Sequence, residues 1–412
     1  MQDFEQNQPI RAQHTHKDLG RRAGAEAEKQ GLTEEKLFEE LDRTRQQIFE
    51  ERYGMTMKEY KIAAIPGDGI GKEVLPEGLK VLQAIAEKTR TFQLAVEQFP
   101  WGCEHYLETG EVMAEDGIDT LKDFDAIYFG AGGHPEVPDY LSAWELIFVI
   151  RHAFDQYVNL RPIKLLPGVT TPLANVNPED IDFVIVRENT EGEFAGPGGL
   201  VHAGQAHAVA VQTSVFTRQG VAQVARYAFQ TARERRGQVT NVTKSNAVQH
   251  SLVFWDQVVA EVSADYPDVA YETMYVDAAA MKFIQEPGRF DVILTTNLFG
   301  DILSDLGAAM MGSIGLAASG NINPDPGQPS MFEPFHGSAP DIAGRGMANP
   351  IGAIWAGAMM LDHLGEKKAA NTVLRAISQV LEEGVRTPDL GGSATTSQMG
   401  DAIARTIDKS TL

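Results

Sequence analysis

From residue 57 onward the sequence predicts an α/β fold built on a largely parallel sheet. Short apolar runs alternate with stretches of helical spacing, which is the pattern of parallel strands joined by crossover helices. The predicted strands are KIAAI, FQLAVEQF, AIYFG, FVIVR, VTNVT, VAYETMYV and DVILTT. One segment departs from the alternation. Residues 198–217, GGLVHAGQAHAVAVQTSVFT, predict two strands around a turn, either a surface hairpin or an arm that clasps a partner subunit.

Length and composition set the broad class. The chain has 412 residues, 43% of them hydrophobic, which suits a globular protein of about two domains. The net charge of −22 disfavours binding to nucleic acid or to anionic membranes, so an anionic substrate needs a local cluster of cations or a metal ion. The single cysteine, Cys103, excludes an intrachain disulfide. We find no bilayer-length apolar run and no secretory signal pattern, and we expect a cytoplasmic protein.

The first 56 residues differ from the rest of the chain. A polar stretch up to Lys29 is followed by GLTEEKLFEELDRTRQQIFEERYG, in which Thr33 can cap a helix and Gly54 can end it. Apolar residues recur there at helical spacing, which predicts one amphipathic helix. We interpret residues 1–56 as an accessory extension or an interaction module, and Met57 as the start of the body.

The stretch IPGDGIGKEV follows the first predicted strand and precedes a helix. Its glycines, Gly67, Gly69 and Gly71, have the spacing G-x-G-x-G, and Lys72 stands where the third glycine of a dinucleotide-binding fingerprint belongs. We therefore predict a tight strand-to-helix turn and not a standard pyrophosphate loop. Any nucleotide site must be argued from other residues.

Carboxylates suggest a metal site. Asp301 and Asp305 in NLFGDILSD are four residues apart, so they share one face of the helix predicted after DVILTT. Paired carboxylates suit Mg²⁺ or Mn²⁺, although such a pair can also be simply solvated. Asp277, at the start of another predicted helix, could add a third carboxylate or serve only as a helix cap.

Basic residues suggest an anion site. Arg151 lies ten residues before Arg161, and Arg187 ends the strand FVIVR. Arginines that converge at strand ends can bind carboxylates through two hydrogen bonds each, but each one alone is more often a surface residue. Lys244 in TKSN ends another strand and could act as a general base, with Asn246 following it.

The segment EPFHGSAPDIAGRGMANP, residues 333–350, is rich in glycine and small residues. Its backbone around His336 and Gly337 could lie against a ligand, and Asp341 could accept hydrogen bonds from ribose hydroxyls. A well-packed loop without a ligand would have the same composition.

The order and spacing of these motifs resemble the β-decarboxylating dehydrogenases. This family includes isocitrate, 3-isopropylmalate, homoisocitrate, D-malate and tartrate dehydrogenases, and the resemblance covers residues 57 to about 408. It implies two α/β domains with a central mixed sheet. The larger, NAD-binding domain would comprise residues 57–156 and 311–412. The smaller domain, residues 157–310, would carry the dimer interface and a β-arm, in a homodimer with shared active sites.

The resemblance also implies roles for individual residues. Arg151, Arg161 and Arg187 would hold a substrate carboxylate. Asp301 and Asp305 would bind Mg²⁺ or Mn²⁺ together with Asp277 of the partner subunit, and Lys244, also from the partner, would take the hydroxyl proton. K⁺ is a possible activator. The expected NAD-binding residues are Asn246, His336, Gly337, Ser338, Ala339, Asp341, Ile342 and Asn349, with Ile342 favouring NAD over NADP.

The helix before Arg151, DYLSAWELIFVIR, bears on the substrate. Isopropylmalate enzymes carry an acidic residue seven positions before this arginine, where this chain has Trp144, followed by Ile147 and Phe148. Isocitrate enzymes carry serine and asparagine six and four positions before it, where this chain has Glu145 and Ile147. PDYLSAW and DQYVNLRP are most similar to the D-malate and tartrate subgroup, so we predict D-malate or a tartrate as substrate. 3-Isopropylmalate is the alternative.

One position departs from the family pattern. Phe194 in VRENTEGEF stands where the family has the tyrosine proposed to protonate the enol product. Phenylalanine has no hydroxyl and cannot fill that role. A water or Lys244 could protonate the enol more slowly, the enzyme could stop after oxidation, or the chain could be a catalytically weak regulatory paralogue. The first two readings keep an active oxidoreductase.

Overall fold

The structure, a computed structural model, describes residues 57–174 and 176–410, and it places in them a ten-stranded mixed sheet and a separate two-stranded one. The strands are β1 (Lys58–Gly67), β2 (Phe92–Gln98), β3 (Ala126–Ala131), β4 (Val158–Lys164), β5 (Asp182–Glu188), β6 (Gly198–Val201), β7 (Val209–Gln212), β8 (Gln238–Thr243), β9 (Ala270–Tyr275), β10 (Val292–Thr295), β11 (Ala318–Ile322) and β12 (Ser330–Pro334). The large sheet has the order β2-β1-β3-β12-β11-β4-β5-β10-β8-β9.

Helices connect most of these strands. They are α1 (Gly71–Thr89), α2 (Cys103–Thr109), α3 (Gly117–Leu121), α4 (Asp139–Ser142), α5 (Phe148–Ala153), α6 (Arg218–Arg233), α7 (Ser251–Ser263), α8 (Val276–Gln285), α9 (Asn297–Met310), α10 (Ile351–His363), α11 (Lys367–Glu382) and α12 (Thr396–Lys409). A π-helical turn, Ala143–Ile147, lies between α4 and α5. Short 3₁₀ segments span Pro178–Asp180, Pro287–Arg289, Ile314–Leu316 and Pro388–Leu390.

Both flanks of the large sheet are parallel and its centre is antiparallel. β1, β3 and β12 pair in parallel on one flank, as do β5, β10, β8 and β9 on the other. The pairs β12–β11, β11–β4 and β4–β5 between them are antiparallel. The predicted α/β class with a central mixed sheet is confirmed. Strands from residues 57–156 and 311–412 form one flank, and strands from residues 157–310 form the other. The division of these residue ranges into two domains stays a prediction.

Apolar strands and helices build the core. All six residues of β3 and all four of β10 are buried, as expected for strands covered on both faces. α10 is buried along most of its length and packs against β11, β12 and α1, whereas α6 covers β5, β8 and β10 on the other flank. Within the described ranges, no helix is both long and apolar enough to cross a membrane.

The strands expected from the sequence are all present, and the hairpin expected within residues 198–217 is formed by β6 and β7. Gly198 pairs with Gln212 and Val201 with Val209, and every residue of both strands is exposed. β4, β11 and β12 were not among the predicted strands. β1 begins one residue after Met57. The helix expected within residues 1–56 lies outside the described residues.

Candidate active site

The three arginines predicted to bind substrate are buried at the centre of the sheet. Arg187 lies near the end of β5, Arg161 in β4 and Arg151 in α5, and each exposes 6% or less of its surface. Nη1 of Arg187 lies 2.5 Å from Oδ1 of Asp301, and Nη1 of Arg161 lies 3.5 Å from the same oxygen. Two strands and one helix therefore bring two guanidinium groups to one carboxylate.

Arg151 joins this cluster beside a second buried carboxylate. Its Nη2 donates a hydrogen bond of 3.0 Å to Oε1 of Glu333, and its Nε has no partner among the described residues. Burial lowers the pKa of Arg161 to about 10; burial and the nearby Arg161 lower the pKa of Arg187 to about 9. Three guanidinium groups contact only two carboxylates, which leaves positive charge inside a protein of net charge −22. This cluster is suited to a small anion.

Asp301 and Asp305 share one face of α9, which follows β10 as predicted. Gly300 allows the close approach of this helix, because a Cβ there would lie 2.6 Å from Cγ of Arg187. Burial acts to raise the pKa of Asp301, but Arg187 and Arg161 hold it below its ordinary value. The pKa of Asp305 is raised, first by burial and also by Asp301, against the attraction of Arg161. Two neighbouring carboxylates, with Asp305 exposed to solvent, fit the donor set of Mg²⁺ or Mn²⁺.

Lys244 and Asp277 form a separate pair. Lys244 follows β8, Asp277 lies in the first turn of α8, and the Nζ to Oδ1 distance is 2.5 Å. The hydrogen bond from Lys244 lowers the pKa of Asp277. Asn246 is exposed in the turn after Lys244. Among residues 57–174 and 176–410, no three His, Cys, Asp or Glu side chains lie close enough to hold a metal ion, so one chain does not bring Asp277 to Asp301 and Asp305.

An aromatic row borders the arginine cluster. The rings of Trp144 and Phe148 meet edge to face at 4.9 Å, and those of Phe148 and Phe194 stack at 6.0 Å. The guanidinium carbon of Arg151 lies 5.5 Å from the centre of the Phe148 ring, and that of Arg187 lies 5.8 Å from the Phe194 ring. Trp144 belongs to the π-helical turn, a distortion that is frequent at functional sites. Trp144 and Phe148, which we expect to bear on the substrate, and Phe194 are therefore adjacent to the predicted anion site.

The IPGDGIG turn is in contact with the HGSAPD loop, residues 336–341, which carries several of the expected NAD-binding residues. N–H of Ile70 donates to the carbonyl of Ser338 at 2.9 Å, and Gly69 has a φ of +52°. A Cβ on Gly69 would lie 2.2 Å from that carbonyl oxygen, so glycine is required by both space and backbone conformation. The fully buried carboxylate of Asp68 accepts hydrogen bonds from N–H of Cys103, Glu104 and Gly133. The IPGDGIG turn is thus anchored on one side and packed against the HGSAPD loop on the other.

The HGSAPD loop carries a strained residue and an unpartnered ring nitrogen. Ala339 has a φ of +42°, a conformation that non-glycine residues rarely adopt. His336 is buried and its Nδ1 lies 2.9 Å from the carbonyl of the exposed Gly337, while Nε2 has no partner among the described residues. Burial lowers the pKa of His336. A neutral, unpaired imidazole nitrogen of this kind fits a hydrogen bond to a bound ligand.

The rest of this loop divides into exposed and anchored parts. Asp341 is exposed and Ile342 is half-buried. The carboxylate of Glu73 in α1 accepts hydrogen bonds from N–H of Gly344 and Gly346. Asn349 is buried; its Nδ2 donates to Asp389 and its Oδ1 accepts from N–H of Ile351, which orders the start of α10. Asp341 is therefore open to solvent, whereas Ile342 packs against the apolar cluster that includes Ile70 and Val74.

Sequence reasoning missed several polar residues of the site. Asn297 accepts two hydrogen bonds from Arg187, at 2.9 and 2.6 Å, and Ser304 accepts one from Arg161 at 2.5 Å. Glu333, Asn321 and Asn159 lie on β12, β11 and β4 and are buried. Asn297 and Ser304 lie within NLFGDILSD, so that motif could have pointed to them, whereas Asn321 lies in SGNINPDPG, which has the composition of a loop.

Comparison with known families identifies the class of protein. Residues 61–403 match the model of the isocitrate/isopropylmalate dehydrogenase family, and the chain belongs to that family. Among curated proteins, it is 52% identical over 359 residues to the D-malate dehydrogenase [decarboxylating] of Escherichia coli (strain K12), covering 85% of this chain and 99% of that protein. It is 48% identical over 362 residues to the tartrate dehydrogenase/decarboxylase of Pseudomonas putida, covering 86% and 99%.

A solved structure is similar as well. Isocitrate dehydrogenase from Methylococcus capsulatus aligns with a TM-score of 0.76 and 36% identity, over 85% of this chain and 100% of that chain. The expected isocitrate/isopropylmalate dehydrogenase-like fold is therefore confirmed. The predicted resemblance to the tartrate and D-malate subgroup is confirmed by the curated relatives.

Proposed function

We propose that this chain is an NAD- and divalent-metal-dependent oxidoreductase that acts on D-malate or a tartrate, with β-decarboxylation of the oxidised product. The observation that carries the proposal is the buried cluster of Arg151, Arg161 and Arg187 beside the carboxylates of α9. Such a cluster binds the two ends of a small diacid through charge-assisted hydrogen bonds. The relatives named tartrate and D-malate dehydrogenases, at about half identity over nearly their full length, support the same substrate class.

The residues of this chain have separate tasks in the proposed reaction. The arginines bind and orient the substrate carboxylates. Lys244 of the partner subunit would be the general base: its ammonium donates to Asp277 at 2.5 Å, so it must first release a proton to water and then accept the proton of the substrate hydroxyl. Asp301 and Asp305 would hold Mg²⁺ or Mn²⁺ with Asp277 of the partner subunit, and this ion, when bound, polarises the substrate oxygen. His336 and the following residues of the HGSAPD loop would hold NAD⁺, which would supply a hydride acceptor.

The aromatic row supports a four-carbon substrate. The Trp144 indole, the Phe148 ring and the Phe194 ring form an uncharged wall next to Arg151 and Arg187. This wall has no carboxylate-binding group for a third acid, so isocitrate is disfavoured. Its bulk also limits the space for a branched alkyl substituent, which disfavours 3-isopropylmalate.

The substrate assignment is tested by comparing kcat/KM for D-malate, the tartrate isomers, isocitrate and 3-isopropylmalate, with NAD⁺ and Mn²⁺ present. We expect D-malate or a tartrate to exceed both others by about tenfold or more, the range that pocket contacts supply. Tenfold higher efficiency with 3-isopropylmalate would make the chain an isopropylmalate dehydrogenase. Absence of turnover with every substrate would favour a regulatory paralogue.

We also propose that the active unit is a homodimer with shared sites. Apolar side chains are exposed on both strands of the hairpin, with 52–61% of their surface free. They are Leu200, Val201, Val209 and Val211. Met281 and Ile284 on α8 and Ile302 on α9 are also exposed. A second copy of this chain would cover these surfaces and could bring its Lys244 and Asp277 to the Asp301 and Asp305 of the first.

Mixed dimers test this assembly. D277N and D305N each damage one half of a shared site, so each homodimer should be nearly inactive at a Mn²⁺ concentration that just saturates the wild type. A dimer with one chain of each kind has one undamaged site, and random mixing then restores about a quarter of the wild-type activity. No recovery after mixing under conditions of subunit exchange would contradict shared sites. The cytoplasmic location stays a prediction from the sequence.

A further inference from the structure

A chain of buried hydrogen bonds joins two of the substrate-binding arginines through the sheet. Arg161 donates from Nε to Oδ1 of Asn159 at 2.6 Å, and Nδ2 of Asn159 donates to Oδ1 of Asn321 at 2.8 Å. Nδ2 of Asn321 donates to Oε1 of Glu333 at 2.7 Å, and the same oxygen accepts from Arg151 at 3.0 Å. Every link is less than 9% exposed. The chain runs across β4, β11 and β12, where the strands pair antiparallel.

Asn321 is the centre of this network. It is fully buried, and the register places it directly opposite Asn159. Its Oδ1 also accepts from Nδ2 of Asn189 at 3.0 Å, and its Nδ2 also donates to the carbonyl of Met331 at 3.4 Å. Both acceptor positions and both donor positions of the amide are used, so its orientation is fixed by its partners. A side chain with four buried partners cannot move without leaving some of them unsatisfied.

We propose that Asn321 is a positioning residue that fixes Arg151 relative to Arg161. This inference rests on the proposed function, in which both arginines hold the substrate. Burying five polar side chains costs free energy, which an apolar pair between β11 and β4 would avoid. The polar network fixes one geometry for the guanidinium groups of Arg151 and Arg161, which lie on different elements. Positioning groups by a supporting layer of hydrogen bonds is a general requirement of precise sites.

Three variants test the role of Asn321. N321A removes the central amide. N321D keeps its size but places a second carboxylate against Glu333, without the donor that Glu333 needs. N323A is the matched control, because Asn323 is a buried amide two residues further along the same segment, bonded to the carbonyl of Phe154 and to N–H of Asp325.

We expect N321A and N321D to raise KM for D-malate about tenfold or more, since small misplacements of binding groups cost up to about a hundredfold. KM for NAD⁺ should change less than about twofold. N323A should lower Tm without changing KM for D-malate. Lower Tm with an unchanged KM for D-malate in N321A and N321D would make Asn321 a purely structural residue and overturn the proposal.

A crystal structure of N321A supplies a test that does not depend on the substrate. Displacement of the Arg151 and Arg161 guanidinium groups relative to each other is expected, and their unchanged separation would overturn the proposal. If the wild type fails to turn over any four-carbon diacid, the proposed function fails, while this structure still decides whether Asn321 positions the arginines.

Discussion

Phe194 offers a substitution that should improve the proposed reaction. F194Y adds a single hydroxyl at the position where the family pattern has an acid for the enol product. The Phe194 ring is half-buried, stacks on Phe148 and has the Arg187 guanidinium carbon 5.8 Å from its centre. The change therefore introduces a phenol beside a fixed cation without altering the ring that packs there.

The size of the effect follows from that cation. For a phenol oxygen at a distance comparable to the 5.8 Å that separates Arg187 from the ring centre, and at an effective dielectric constant of about 20, a unit positive charge favours the phenolate by at most about 3 kcal/mol, and the ion pair of Arg187 with Asp301 reduces this attraction. This attraction makes the phenol a stronger acid than it is in water, although partial burial opposes it. A well-placed general acid contributes about 10²- to 10⁴-fold to a proton transfer. We therefore expect F194Y to accelerate enol protonation at least about tenfold.

The assay is a single turnover with enzyme in excess over D-malate, in which NADH and pyruvate are measured over time. In the wild type, pyruvate should lag behind NADH, and in F194Y the lag should shorten while NADH formation is unchanged. F148Y is the matched control, because it adds the same hydroxyl to the stacked ring 6.0 Å away. Unchanged pyruvate kinetics in F194Y, or an equal gain in F148Y, would refute the reasoning.

Three further predictions concern other parts of the chain. D305N should raise the concentration of Mn²⁺ needed for half-maximal activity by more than tenfold. In EDTA, its Tm should be unchanged or higher, because the substitution relieves repulsion from Asp301, and a large loss of Tm would contradict a ligand role. Burial raises the pKa of the Glu188 carboxyl to about 7 in the native state, against an ordinary value of 4.5. Between these two pH values the native state keeps a proton that the unfolded state has released, so the free energy of unfolding falls as the pH rises. E188Q should therefore be more stable than the wild type at pH 8, on the order of 3 kcal/mol at most, and less pH-dependent; denaturant unfolding at pH 5 and pH 8 measures both. Deletion of residues 1–56 should leave kcat and the dimer unchanged if that segment is an accessory extension. Steady-state assays measure kcat and sedimentation velocity measures the assembly, and a loss of either would show that the segment is required.

The parallel flanks of the sheet were predictable because their strands are buried on both faces. AIYFG and DVILTT are continuous apolar runs, and such runs stand out from the helices between them. The antiparallel centre was not predictable. β11 and β12 carry Asn321 and Glu333 inside the protein, and their polar side chains, next to glycine and proline, have the composition of a loop.

The candidate site shows the same division. Arg187 and Asp301 were identified because charged residues at the ends of buried strands and at the start of helices are informative in themselves. The contact of Arg151 with Glu333 joins residues 182 positions apart, and those of Asn321 with Asn159 and Glu333 join residues 162 and 12 positions apart. No local pattern in the sequence encodes such pairings. The proposed sharing of Asp277 between subunits likewise came from the family resemblance and not from any spacing.

The most direct test of the central claim is a simultaneous measurement of NADH and pyruvate at the end of the reaction, with purified protein, D-malate, NAD⁺, Mn²⁺ and K⁺. An oxidative decarboxylase of four-carbon diacids should produce the two in equal amounts, with no pyruvate when NAD⁺ is omitted. NADH without pyruvate would show that oxidation is not followed by decarboxylation. Formation of neither product from D-malate or from any tartrate isomer would contradict the account.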